Sequence, residues 1–208
     1  MTCSPYAGLM TSDMQKTSRL SIHDALDKNL YGYAAELAKA HLDLYTDDGI
    51  AWIELARAFT ALSRFGEAEE AFENAYEYAH ETLREIIFTR WAEMHKRQGH
   101  YAGAEECYRK AIALNPNDAN KYVYLGILFF QRGDIALAEE TYRQGTNCTE
   151  GSVDECYANL GSVCVAQERY EEALKYFEKA IEMDPQYKWA KLRHCDVQEI
   201  LKFKIRFD

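Results

Sequence analysis

Proline is scarce in this 208-residue chain, at 3 residues, and glycine is little commoner, at 11. Those shortages exclude collagen-like sequence, linker-rich disorder and a turn-dense all-β protein. Nowhere is there a run approaching the ~18–20 apolar residues of a membrane span. The N-terminal stretch MTCSPYAGLMTSDMQKTSRL has neither a basic n-region nor an apolar core, so no secretory leader is read there. Positive charge is also short: 24 Lys+Arg face 34 Asp+Glu, a net charge of −10. Duplex nucleic-acid binders carry a basic footprint, so that class is disfavoured. The cysteines, Cys3, Cys107, Cys148, Cys156, Cys164 and Cys195, include no CxxC, and their spacing fits no zinc site. Without a leader they read as reduced thiols, several buried as small hydrophobes. His80-Glu81 lacks the second histidine of HExxH, and no GxSxG elbow or Gly-rich phosphate loop occurs. No catalytic residue, metal or cofactor is therefore expected, and the chain reads as cytoplasmic.

What the chain does have is self-similarity. GHYAGAEECYRKAIALNP (99–116), GDIALAEETYRQGTNCTE (133–150) and ERYEEALKYFEKAIEMDP (168–185) align, with SRFGEAEEAFENAYEYAH (63–80) as another copy. The anchoring alanines are Ala68, Ala104, Ala138 and Ala173, at steps of 36, 34 and 35. A weaker copy surrounds Ala34. A period of ~34 is that of a helix–turn–helix unit. Within each unit apolar residues recur at three and four, as in Tyr170, Ala173, Phe177 and Ala180, predicting amphipathic helices. Ala56, Ala92, Gly126 and Gly161 would let paired helices approach closely, while Phe72, Tyr108, Tyr142 and Phe177 fill space between stacked pairs. Gly99 and Gly133 suit a helix C-terminus. The carboxylates clustered near each second-helix start, such as Glu67, Glu139 and Glu172, suit the helix dipole better than paired acid–base work.

These residues resemble the tetratricopeptide repeat family, with its pattern W-x2-L-G-x2-Y…A-x3-F…A…P. Tyr157, Leu160, Gly161, Tyr170, Ala173, Phe177, Ala180 and Pro185 match it best. The preceding copy departs at Gly145 and at TNCTEGS, and the first copy has Ala38 in the aromatic position. The resemblance implies an all-α fold, a right-handed superhelical array of antiparallel helix pairs with about 11 helices. The expected organisation is a mobile tail over 1–14 and an array over 15–187, in copies 15–48 (degenerate), 49–84, 85–118, 119–153 and 154–187. A capping helix and tail occupy 188–208. Trp189, Leu192, Cys195, Ile200 and Phe203 are expected on the covered side of that helix, with Lys188, Lys191, Gln198, Glu199 and Lys202 facing water. KFKIRFD is expected to be a frayed helix end, with a pairing strand or the start of a further segment as alternatives.

The resemblance further implies a non-catalytic scaffold that binds a protein or peptide in a concave groove lined by the first helix of each pair. In that register the groove residues are Arg19, His23, Arg57, Arg90, Lys96, Arg97, Tyr124, Ile127, Phe130 and Asn159, alongside Ile53, Val123 and Ala158. Bases on the inner track of an acidic protein, beside an apolar patch, suit an acidic and apolar segment. The competing reading is that these bases satisfy helix dipoles and neighbouring carboxylates. No pair of positions reproduces the Lys/Asn and Lys/Arg set of the family's dicarboxylate clamp, so a chaperone tail is disfavoured. A self-associating subunit, or an accessory subunit of an enzyme complex, is the alternative; nucleic acid and membrane partners are not expected.

Overall fold

The computed structural model describes the backbone of residues 5–207 and the side chains of residues 14–204. Among the described residues the chain is all-α, as expected, with eleven helices and one 3-10 turn, Glu81–Leu83. The helices are α1 Pro5–Asp27, α2 Tyr31–Leu42, α3 Gly49–Ala61, α4 Phe65–Tyr78, α5 Arg84–Gln98 and α6 Tyr101–Leu114. They continue as α7 Ala119–Arg132, α8 Ile135–Gly145, α9 Val153–Ala166, α10 Tyr170–Met183 and α11 Lys188–Phe207. No helix among the described residues is long and apolar enough to cross a membrane.

The stretch expected as a tail is helical from Pro5 onward, and proline is well suited to a first helical turn because its missing N–H has no partner there anyway. Residues 1–4 lie outside the described residues. At the other end α11 runs through Phe207, so KFKIRF continues the helix and is not a strand.

Two compact units, Met1–Cys107 and Tyr108–Asp208, divide the chain inside α6. In the first, α1 to α5 pack each on the next, and α1 and α5 also touch α3. In the second, α7 to α11 pack each on the next, and α7 also touches α9. Contacts to the next helix and the next but one are what stacked helix pairs require.

The period recurs in the backbone. Asn29, Ser63, Gly99, Gly133 and Glu168 all have positive φ, between 58° and 86°. Each follows the first helix of a pair, where a left-handed residue closes the helix and turns the chain back. Gly99 and Gly133 adopt this without strain; Ser63 and Glu168 carry a Cβ into a region that costs about 1 kcal/mol or more. Ser63→Gly should therefore raise the unfolding free energy by about 0.5–1 kcal/mol in chemical denaturation. A loss of stability would show that the serine side chain supports the turn.

Small residues on the first helices receive aromatic rings. A Cβ added at Gly126 would lie 2.3 Å from the Tyr142 ring, and one at Gly161 would lie 2.6 Å from Phe177. The rings thus sit against the glycine of their own pair, and do not only fill the gap between pairs. Gly145, where the repeat pattern has alanine, is needed because a Cβ there would meet Cys156 Sγ at 2.4 Å.

The irregular segment after α8 has its own anchorage. Glu150 forms an isolated parallel bridge with Asp118, the Ala119 N–H donates to the Glu150 carbonyl (2.9 Å), and Ser152 N–H donates to Asn120 Oδ1 (3.0 Å). These bonds fasten this strap to the start of α7 and to Asp118 just before it. The carboxylates at second-helix starts are also paired. Arg169 holds Glu139 (2.9 Å) and Glu172 (2.6 Å), and Arg143 adds a second contact to Glu139 (2.7 Å). The Arg169 hydrogen bond is the main reason the Glu139 carboxyl is held below its usual range. No disulfide joins the described cysteines, and burial pushes the Cys156 thiol up to about 12 and Cys164 up to about 11. They are core side chains.

The face of α11 departs from expectation. Its covered side carries Ala190, Val197 and Leu201, packed on residues of α9 and α10 such as Ala158, Ala180, Cys164 and Phe177. Trp189, Leu192, Cys195, Ile200 and Phe203 are exposed instead. Close helix approach selects small and β-branched side chains at Ala190 and Val197.

Candidate functional site

In the first unit α1, α3 and α5, the first helices of their pairs, lie side by side and form two clefts. The cleft between α1 and α3 is lined by Lys16, Arg19, Leu20, Ile22, His23, Ile50, Ala51 and Glu54. Arg19 and His23 are one turn apart on α1, which brings both to its rim. Asp48 anchors the end of this cleft. It caps α3 by accepting from the Ile50 and Ala51 N–H groups at 3.2 and 3.3 Å. It also accepts from His41 Nε2 (2.9 Å) and Gln15 Nε2 (3.0 Å), and Arg19 Nε stands 3.5 Å away. Burial alone would raise this carboxyl; the bonds from His41, Ala51 and Gln15 and the charge of Arg19 outweigh it and hold it low. His23 stands 3.7 Å from Glu54, which also pairs with Arg57.

The second cleft, about 180 Å³, is lined by Leu26, Tyr31, Arg57, Thr60, Phe72, Arg90, Glu93 and Arg97. Three arginines and one carboxylate, Glu93, thus line the same cleft. Arg90 pairs loosely with Glu93 (3.5 Å), and Arg97 reaches the Ala61 carbonyl at 3.5 Å. Lys96, one residue from Arg97, lies at the end of α5 and lines neither cleft.

The apolar candidates lie in the second unit, so the two sets are described separately. Tyr124 is exposed on α7 with its ring 6.0 Å from that of Tyr108. Phe130 and Asn159 are half-buried, and Ile127 packs partly against Ala119, Val123 and Cys156. Ile53, Val123 and Ala158, expected to face the groove, are core residues. They are pinched where neighbouring helices meet, which favours small and branched side chains. Reading along the chain missed Tyr31 and Phe72, because second helices were not considered as lining, and it missed Thr60 on α3. It also missed Glu54, whose carboxylate joins the two clefts. Among the described residues no group of three or more His, Cys, Asp or Glu side chains is placed to hold a metal ion.

Two tetratricopeptide repeat family models match the chain, over residues 89–150 and 155–187. Protein O-mannosyl-transferase TMTC1 of Homo sapiens is 27% identical over 136 residues, covering 65% of this chain and 15% of that protein. The chain spans only 15% to 25% of the length of this relative and two further curated ones. Among solved structures, pilF of Pseudomonas aeruginosa superposes with a TM-score of 0.72 at 14% identity, covering 92% of this chain and 86% of that one. YrrB, described as a TPR protein with an unusual peptide-binding site, has a TM-score of 0.60 at 17% identity, covering 90% and 96%. These structures share the helical-repeat fold. The chain thus carries tetratricopeptide repeats over residues 89–150 and 155–187.

Proposed function

We propose that the chain is a non-catalytic interaction scaffold, and that its first unit binds an acidic, partly apolar protein segment along α1, α3 and α5. The observation that carries this reading is the convergence of Arg57, Arg90 and Arg97 on one cleft beside Tyr31 and Phe72. Arg57 pairs with Glu54 and Arg90 loosely with Glu93, each on its own helix, while Arg97 reaches a backbone carbonyl. Such partly exposed pairs are worth only about 0–1 kcal/mol, so a ligand carboxylate can displace them. A guanidinium fork gains more from a bidentate carboxylate in a sheltered cleft. The apolar rim formed by Leu20 and Ile50 would receive the segment's hydrophobic side chains.

A peptide library screened against the whole chain tests this. Bound sequences should be enriched in Asp and Glu flanking Leu or Phe. Arg57→Ala combined with Arg90→Ala should weaken the selected peptides by about tenfold or more at low salt, with less loss at high salt. Unchanged affinity at low salt would sink the arginine cleft as the binding site.

A further inference from the structure

We propose that α11 presents a docking ridge for an amphipathic helix with acidic flanks. Trp189, Leu192, Ile200 and Phe203 are 40%, 61%, 36% and 64% exposed, although α11 is firmly seated on α10 through its opposite side. They recur at helical spacing and fall on one side of the helix, a ridge about 21 Å long. Trp189 is held in place by ring contacts to Phe177 and Tyr187, with centroids 6.2 and 6.0 Å apart. It is therefore a preorganised anchor.

The occupant follows from two physical points. The flank of a helix offers no free backbone donors or acceptors, so an extended segment laid there would lose water without replacing its hydrogen bonds. A helix brings its own backbone bonds and can interlock its side chains with the ridge. The flanking charge is basic: Lys188, Lys191, Arg193, Lys202 and Lys204 against Asp196 and Glu199, on a chain whose net charge is −10. Arg193 occupies Asp196 (3.1 Å), Lys202 occupies Glu199 (2.7 Å) and Lys204 is drawn to Glu168 (3.5 Å). Lys188 and Lys191 make no ion pair among the described residues. A second copy of α11 would oppose like charge to like, whereas a helix edged with Glu or Asp complements it. This ridge is independent of the arginine cleft and lies in the other unit.

The probe is a fluorescein-labelled peptide of residues 63–80 of this chain, SRFGEAEEAFENAYEYAH, a short acidic amphipathic sequence. Its binding to the full chain is followed by anisotropy. Leu192→Asp combined with Ile200→Asp should weaken binding by about tenfold or more, and both side chains are exposed, so circular dichroism should be unchanged. Lys188→Glu with Lys191→Glu should weaken it and flatten its salt dependence, while Arg57→Ala with Arg90→Ala should leave it unchanged. Absence of binding, or binding lost only in the arginine variant, overturns the proposal. So does sedimentation showing self-association abolished by the Leu192/Ile200 variant, which assigns the ridge to a second copy. Pelleting with phosphatidylserine-containing vesicles that the same variant abolishes assigns it to a lipid surface and overturns it too.

Discussion

Phe177→Ala will lower the unfolding free energy by about 3–5 kcal/mol, the largest effect of any single truncation expected in the second unit. The ring is fully buried among Cys164, Ala173 and Val197. It lies so close to Gly161 that a Cβ there would approach within 2.6 Å. Removing it leaves a cavity that cannot easily close, because the surrounding residues are already small and in contact. The loss also reaches α11, whose Val197 and Trp189 rest on the same ring. Urea denaturation followed by circular dichroism measures the total. Amide exchange should show protection falling most in α9, α10 and α11, since each helix draws its stability from its neighbours. A change below about 1 kcal/mol would mean that the helices collapse onto one another and that the ring is not their spacer.

Asp48→Ala is expected to cost about 3 kcal/mol, for a different reason. Its side chain is only 3% exposed and gathers His41, Gln15, Arg19 and two backbone N–H groups. Alanine would leave the fully buried His41 ring without its Nε2 bond, and Nδ1 already has no partner among the described residues. Asp48→Asn should cost less, because its amide oxygen can still accept from the start of α3. The pH dependence follows from the depressed carboxyl. Its contribution is fully present above the unfolded-state value of about 3.9 and is lost as pH falls through the lower folded-state value. The parent chain should therefore lose stability below about pH 4 more steeply than Asp48→Ala. Parallel slopes for the two proteins would show that Asp48 is not the group responsible.

Much of the architecture is visible in the residues themselves. Alanines at steps of 34 to 36 and aromatics four residues later define the helix pairs, and those same aromatics turn out to be the spacers. Less visible is any feature imposed by packing on an unremarkable residue. Ser63 and Glu168 take the left-handed turn that glycine marks elsewhere, because the return of the chain demands it. On α11 apolar character misleads: close approach to α10 selects Ala190 and Val197, while Trp189, Leu192 and Phe203 stay exposed. At the candidate site Arg57, Arg90 and Arg97 could be picked out as inward bases. Their partners Tyr31 and Phe72 could not, since they come from second helices and reach the cleft only through the stacking. Arg19 was legible as a base; its tie to Asp48 depends on a contact across 29 residues that no periodicity encodes.

The strap between α8 and α9 has a consequence for how such a chain can vary in length. A residue inserted inside a helix rotates everything after it by about 100° and destroys the interlocking of side chains. Here the irregular stretch is pinned by Glu150 to Asp118 and Ala119, and by Ser152 to Asn120, while its middle remains outside the helices. Slack taken up between the end of α8 and those pins leaves α9 entering at an unchanged angle. The chain thus has a built-in place where copies can drift from a strict 34-residue rhythm and still stay in phase.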